Sequence, residues 1–400
     1  SACDEGDGQG EESWKVKAKG TGANRYEVEA GGSFYTIHRK IEVFATHVYV
    51  KDTFTNTTDK DLGLLIYNEM PVKDKQFTSC RLAGYEGPGR MVEMPHHGGA
   101  SVFVTDKNTG IGMLPMDDVY IIQSVLYAEG GTAGMGTRKF ALAPKKSYTL
   151  EWAVYPTGSG DYYDFINTFR KVEGRIGTVD GAPGFITYTP KNRRQVPTKD
   201  YIKKRALKYA LITNLAGLAD NPGLSDEGIA FIDFPKEREL LRRQAAAIHA
   251  KHPGIKIGFH IAHSLYCTTN PDRFADSKVI TASGKHANRG APAGYFSRKC
   301  ADEGWRWYVY YPTPGNAFHD AMMRSVDVLM DEIGMEGAFM DGFLLGYGGR
   351  WTYDGRWDGH SAEIDLKTKT IKRKLASVLL LSQPSMIQFA RKMHNKGGFI

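Results

Sequence analysis

Met335-Glu336-Gly337-Ala338-Phe339-Met340-Asp341-Gly342-Phe343 reads as a buried strand that delivers one carboxylate to its C-terminal tip. Upstream, from Asn316 to Ile333, Phe318, Met322, Val326, Leu329, Met330 and Ile333 recur at the helical period, and Gly334 closes the run. Helix, glycine and short apolar strand form the αβ step of a parallel α/β fold. In barrels built from such steps, side chains at strand C-termini face the active site, whereas the N-terminal ends serve stability. Asp341 is therefore the candidate catalytic carboxylate; the competing reading is a plain loop cap.

Working outward, apolar strands alternate with helices through the second half of the chain. The strands read from the pattern are Gly184 to Tyr188, Tyr209 to Asn214, Ile255 to Ile261 and Gly337 to Phe343, with another starting at Gly398. The helices are Lys199 to Arg205, Pro235 to Lys251, Asn316 to Ile333 and Pro384 to Asn395, with Asp233 and Ser382 as N-caps two residues before a proline. Such alternation predicts a partial (β/α)8 TIM-type barrel over residues 183–400. The chain opens at Ser1 and stops at Ile400 inside a new strand, so a fragment cut at both ends is expected.

The first half has period two instead. Trp14, Val16 and Ala18 alternate with lysines, Tyr26 and Val28 with glutamates, and further runs follow at Val48, Leu64, Val102, Ile121 to Tyr127, and Leu150 to Val154. Gly, Asn, Asp and Pro clusters divide them at hairpin spacing. This predicts an antiparallel β-sandwich over 1–158 and a helical linker over 159–182, with Asp161 to Val172 helical.

Composition limits the function classes. The 400 residues are 41% hydrophobic and 24% charged, enough for two cores. No uninterrupted apolar run is long enough to span a membrane, and no signal peptide is recognisable. The net charge of +7 is spread over short clusters such as Lys372-Arg373-Lys374 on helix-like segments, which read as solvated faces rather than a nucleic-acid surface. Cys3, Cys80, Cys267 and Cys300 form no CxxC pair, so neither a metal nor another cofactor is expected; Cys267 and Cys300 either pair or remain free thiols. Asn56-Thr57-Thr58 matches a glycosylation triplet but reads better as a hairpin turn. Oligomeric state is not legible.

Around Asp341, three segments carry chemistry. His260 and His263 end the Ile255 strand before a long excursion, where loops usually serve function. They read as substrate hydrogen-bonding or structural residues, because HxxH on an extended segment splits the rings to opposite faces and no third metal ligand is evident. Trp305, Trp307 and Tyr311 offer aromatic faces suited to the CH faces of sugar rings, with core packing as the alternative. Arg350, Trp351, Asp354, Trp357, Asp358 and His360 add a second aromatic and acidic loop.

The order of strand Ile255 to His260, Ile280-Thr281-Ala282-Ser283-Gly284-Lys285, Tyr311-Pro312-Thr313-Pro314-Gly315-Asn316, helix, and Gly337-Ala338-Phe339-Met340-Asp341 resembles retaining glycoside hydrolases of the α-galactosidase and α-glucosidase type. That resemblance implies a β-sandwich ahead of a barrel and a carbohydrate substrate. It also implies Asp341 as nucleophile at the fourth barrel strand and an acid/base two strands later, beyond residue 400. The chain departs from the families in carrying Phe339 two residues before the acid and Gly342 after it. A secreted or periplasmic location follows from the substrate class alone. Two other readings stand beside it: a non-catalytic carbohydrate-binding protein on the same scaffold, and a sugar-active lyase using His260 or His263 as base.

Overall fold

The computed structural model describes residues 14–71, 77–92, 99–106, 108–178, 180–187, 196–213, 228–291, 302–342 and 351–400. It divides into two compact units, residues 1–177 with 355–376, and 178–354 with 377–400.

The first unit is a β-sandwich. Its strands are β1 (Lys15–Gly22), β2 (Arg25–Gly31), β3 (Tyr35–Val43), β4 (Val48–Asn56), β5 (Leu62–Pro71), β6 (Ser79–Leu82), β7 (Tyr85–Glu86), β8 (Gly89–Val92), β9 (Val102–Thr105), β10 (Gly110–Pro115), β11 (Ser124–Glu129), β12 (Thr132–Leu142) and β13 (Ser147–Thr157). One sheet runs β1-β2-β3-β4-β13-β10-β9-β6-β7 and the other β5-β12-β11-β8, with antiparallel pairing throughout. The run from Ile121 to Tyr127, expected as strand, starts as helix α1 (Asp118–Gln123). Asp117 caps it by accepting from the Tyr120 N–H at 3.0 Å, and this local capping bond outweighs the β-propensity of the apolar residues.

The segment expected to link two domains is instead part of the sandwich unit. Helix α2 (Tyr162–Val172) buries Phe165 against Phe103, Leu114, Ala153 and Tyr155. Gly112 makes that contact possible, since a Cβ there would meet the Phe165 ring at 2.4 Å. Residues 355–376, expected within the barrel, also belong here. Ser361 bridges to Phe140 of β12, and Gln123 donates to the His360 carbonyl at 2.9 Å. Asn56 is buried, its amide donating to the carbonyls of Lys60, Leu142 and Ala143, so its environment is that of a turn and not of an exposed glycan acceptor.

The second unit is built on a four-stranded parallel sheet in the order β14 (Ala182–Thr187), β15 (Leu207–Thr213), β16 (Lys256–Ala262), β19 (Gly337–Asp341). Between β16 and β19 lies an antiparallel hairpin of β17 (Leu265–Thr268) and β18 (Arg306–Val309). Helices α3 (Lys199–Lys204), α4 (Pro235–Lys251), α5 (Ala317–Asp327) and α6 (Val378–Asn395) complete it. Beyond α5 the chain continues as a π-turn segment, Val328–Ile333, that stops at Gly334 with φ 81°, a left-handed conformation that favours glycine. The expected apolar stripe is buried in one core, Phe318, Met322, Val326, Leu329 and Ile333, with Met330 packed on it.

Two expected caps are corrected. The α4 N-cap is Phe234, while Asp233 turns away to accept from Tyr266 and Arg273. The α6 N-cap is Ser377, seven residues ahead of Pro384, which lies inside the helix.

Alternation along the strands sorts the sheet into two faces. Ile186, Ile212, Ile257, Phe259, Ile261 and Ala338 enter the core shared with the helices. The other face carries Phe185, Leu211, Gly258, His260, Gly337, Phe339 and Asp341, in register across the strands. At its N-terminal end the side chain of Phe399 covers Gly258 and Gly337, and Phe399 itself forms a parallel bridge with Gly337.

Candidate active site

Strand β19 sets Asp341 at the C-terminal edge of the parallel sheet, the edge at which open α/β sheets bind ligands. Its side chain is 34% exposed, so the carboxylate is reachable yet not fully solvated. Asp341 Oδ1 accepts from the Gly342 N–H at 2.7 Å, and Oδ2 lies 3.3 Å from His260 Nε2. Below it, His260 meets Phe185 at 5.6 Å and Phe339 at 5.3 Å between ring centroids, and Phe185 meets Phe339 edge-to-face at 5.2 Å. Phe185 nevertheless remains half-exposed. An accessible carboxylate beside an uncovered aromatic wall can accept a polar ligand with one apolar face.

His263 is fully buried just past β16, and its backbone N–H approaches the Asp341 carbonyl at 3.5 Å. Burial pulls its imidazole down to about 4, against the opposing pull of the Asp341 carbonyl and carboxylate. It is therefore neutral at physiological pH and a weak base.

The remaining candidates fall into two groups. Tyr311 is buried, and its hydroxyl donates to Asp354 Oδ2 at 2.9 Å. Trp351 is buried three residues before Asp354, in a segment whose Tyr353 N–H bonds to the Ile280 carbonyl. Trp307 packs on the cluster containing Tyr311 and Ala262, and Ala262 is the register partner of Asp341. Trp305 is half-buried at the start of the β18 hairpin arm. Trp357, Asp358 and His360 lie in the first unit and have packing roles there. The Trp357 indole donates to the Ser361 carbonyl at 2.8 Å under the Lys374 ammonium, Asp358 accepts from the His360 and Ser361 amides, and His360 packs on Tyr148. Arg350, Cys3 and Cys300 lie outside the described residues, and Cys267 is buried. Among the described residues no group of three or more His, Cys, Asp or Glu could hold a metal ion, and no helix is long and apolar enough to cross a membrane.

Phe185 was not foreseen as a site residue. An apolar residue inside a strand reads as core, and only the register with His260 and Phe339 shows which face it occupies.

Comparison with solved structures gives the fold a counterpart. The GH36 α-galactosidase AgaA from Geobacillus stearothermophilus superposes with a TM-score of 0.53 at 11% identity, over 97% of this chain and 58% of that one. The fold is similar to part of that of the GH36 α-galactosidases. The α-N-acetylgalactosaminidase NagBb from Bifidobacterium bifidum superposes with a TM-score of 0.57 at 9% identity, over all of this chain and 70% of that one. A third, the galactosidase domain of the α-galactosidase-sucrose kinase AgaSK, gives 0.50 at 10% identity over 84% and 54%. The chain thus spans little more than half the length of the α-galactosidases it matches. No protein-family model matches it, and no curated protein sequence does. What these likenesses establish is a glycoside hydrolase-like scaffold.

Proposed function

We propose that the second unit is the first half of a (β/α)8 barrel and that Asp341 is the nucleophile of a retaining glycosidase. One observation carries the reading: a half-open carboxylate stands at the C-terminal tip of the fourth strand of a parallel sheet whose fold is similar to GH36 enzymes. The bridge between Gly337 and Phe399 supports a fifth strand, and the uncovered Phe185 face supports closure by strands that follow.

In the proposed reaction an Asp341 carboxylate oxygen bonds to the anomeric carbon as the glycosidic C–O bond breaks. The leaving oxygen takes its proton from a second carboxylic acid about 5 Å away, and water later releases the sugar. That acid is proposed to lie on a strand beyond Phe399. The α-galactosides and α-N-acetylgalactosaminides named for the similar structures are the proposed substrates. A His263-based lyase is disfavoured, because a fully buried imidazole held near 4 can neither reach a substrate nor act as an effective base.

The test uses aryl α-galactosides with activated leaving groups, which need little help from an acid. Asp341→Ala should lower turnover on the order of 10⁴-fold or more, and azide should restore it by filling the vacated position with release of a glycosyl azide. Turnover of Asp341→Ala at the wild-type rate would remove the assignment.

A further inference from the structure

The two layers of the sandwich are unequal, nine strands against four, and the surplus falls at one end. Phe54 of β4 meets Phe140 of β12 at 5.8 Å between ring centroids, and Arg39 of β3 reaches Asn68 of β5 at 3.3 Å. The smaller sheet thus covers the larger one as far as β3, and beyond it the inner face opens to solvent. Along the register row Val16, Ala30, Ile37, Phe54 exposure falls from 63% at Val16 to 2% at Phe54, and along Tyr26, Ile41, Val50 from 47% to 3%. The opposite face of the same strands is charged: Lys19 pairs with Glu27 at 3.2 Å, Arg25 with Glu42 at 3.1 Å, and Lys15, Lys17 and Glu29 stand on the same side. Alternation of this kind marks a sheet with one buried face, yet here the apolar side is the one left open.

We propose that this face of β1, β2 and β3 is the docking surface for a second copy of the chain, packed sheet on sheet across a two-fold axis. Charge selects the occupant. Arg39 is the only charged side chain on the inner rows of these strands, and its Nε and Nη2 donate to the Asp52 carboxylate at 2.6 and 2.9 Å. An identical face therefore meets it with no unpaired charge on either side. Pairing at the sheet edge is disfavoured, because β1 ends the sheet and a two-fold copy added there would set Lys15, Lys17 and Lys19 against one another. Area sets the strength. Three strands about 4.8 Å apart, each with seven residues at about 3.3 Å, give roughly 300 Å² of sheet on each copy, which is the range of small, reversible interfaces. Tyr26 is the aromatic anchor, and Val28, central on the middle strand, lies nearest the axis.

Sedimentation velocity over about 5 to 300 μM reads the association, and the wild-type chain should pass from monomer to dimer with a dissociation constant on the order of 10 to 100 μM. Val28→Asp and Val28→Lys, each checked for native circular dichroism, should weaken self-association more than about tenfold. Mixed in equal amounts, the two variants should associate at least about tenfold more tightly than either alone, since a two-fold axis through the face brings aspartate against lysine. Tyr26→Ser, at a position already half-exposed, should weaken the dimer about tenfold while leaving the fold intact. Lys17→Thr, on the charged face, should leave the dissociation constant within about twofold of wild type. A wild type that stays monomeric at about 300 μM, a mixture no tighter than its parts, or a tighter dimer from Lys17→Thr would each overturn the proposal. The first result would leave the face to a different partner, and the last would place the contact at the sheet edge.

Discussion

Glu237 occupies the first turn of α4, is 2% exposed, and its Oε2 has no hydrogen-bond partner. Burial holds its carboxyl well above the usual range, and among the described residues no cation offsets that cost. The sign follows from linkage. Below about pH 4 both folded and unfolded forms carry the proton, so the residue contributes no pH dependence. Above the unfolded value of roughly 4.3, the unfolded state releases its proton while the folded state retains it, and stability falls as pH rises until the folded carboxyl ionises. The slope is roughly 1 kcal/mol per pH unit for as long as the folded carboxyl keeps its proton, so the wild type is less stable at pH 7 than at pH 5 through this one side chain. Glu237→Gln, isosteric and non-titrating, should remove that slope. The assay is hydrogen exchange by mass spectrometry on peptides spanning Pro235–Lys251, combined with urea unfolding at both pH values. The variant should lie nearer the wild type at pH 5 and be clearly the more stable of the two at pH 7. A variant less stable at pH 7, or a difference that does not change with pH, would refute the reasoning.

Other outcomes follow from packing. Gly337→Ala places a Cβ 2.4 Å from the Phe399 carbonyl oxygen. It should break the bonds that join Phe399 to Ala338 and Glu336 and cost about 2 to 5 kcal/mol, seen as lost exchange protection at Ala338 and Phe399. In the sandwich, Asn56→Ala removes an amide that serves three carbonyls and should destabilise that unit by about 2 to 4 kcal/mol in urea unfolding. Asn56→Asp keeps an acceptor for the Thr58 amide and hydroxyl but loses the donors to the three carbonyls, so it should remain well below the wild type.

Much of the second unit was legible because its signals are local. Pro235 at the first position of α4, the stripe from Phe318 to Ile333 and the left-handed Gly334 each declare an element within a few residues. What escaped the sequence depends on distant partners. Residues 355–376 join the sandwich through Ser361 and Phe140, some 220 positions apart, and no periodicity encodes that pairing. Pro384 misled in the opposite sense: it reads as a helix start, but α6 begins at Val378, and the proline sits within a helix held by burial of Leu379, Met386, Phe389 and Met393. Within the site, Asp341 was legible as a strand tip. Its contact with His260 was not, since it depends on the register of β16 against β19.

The central claim is that Asp341 forms a bond to sugar. Incubation of the protein with a 2-deoxy-2-fluoro-α-galactosyl fluoride, followed by peptide mass spectrometry, tests it most directly, because fluoride leaves without an acid and the nucleophile acts alone. The account predicts one fluoroglycosyl adduct on the peptide containing Asp341, absent in Asp341→Asn. A stable adduct on another residue, or equal labelling of Asp341→Asn, would contradict it.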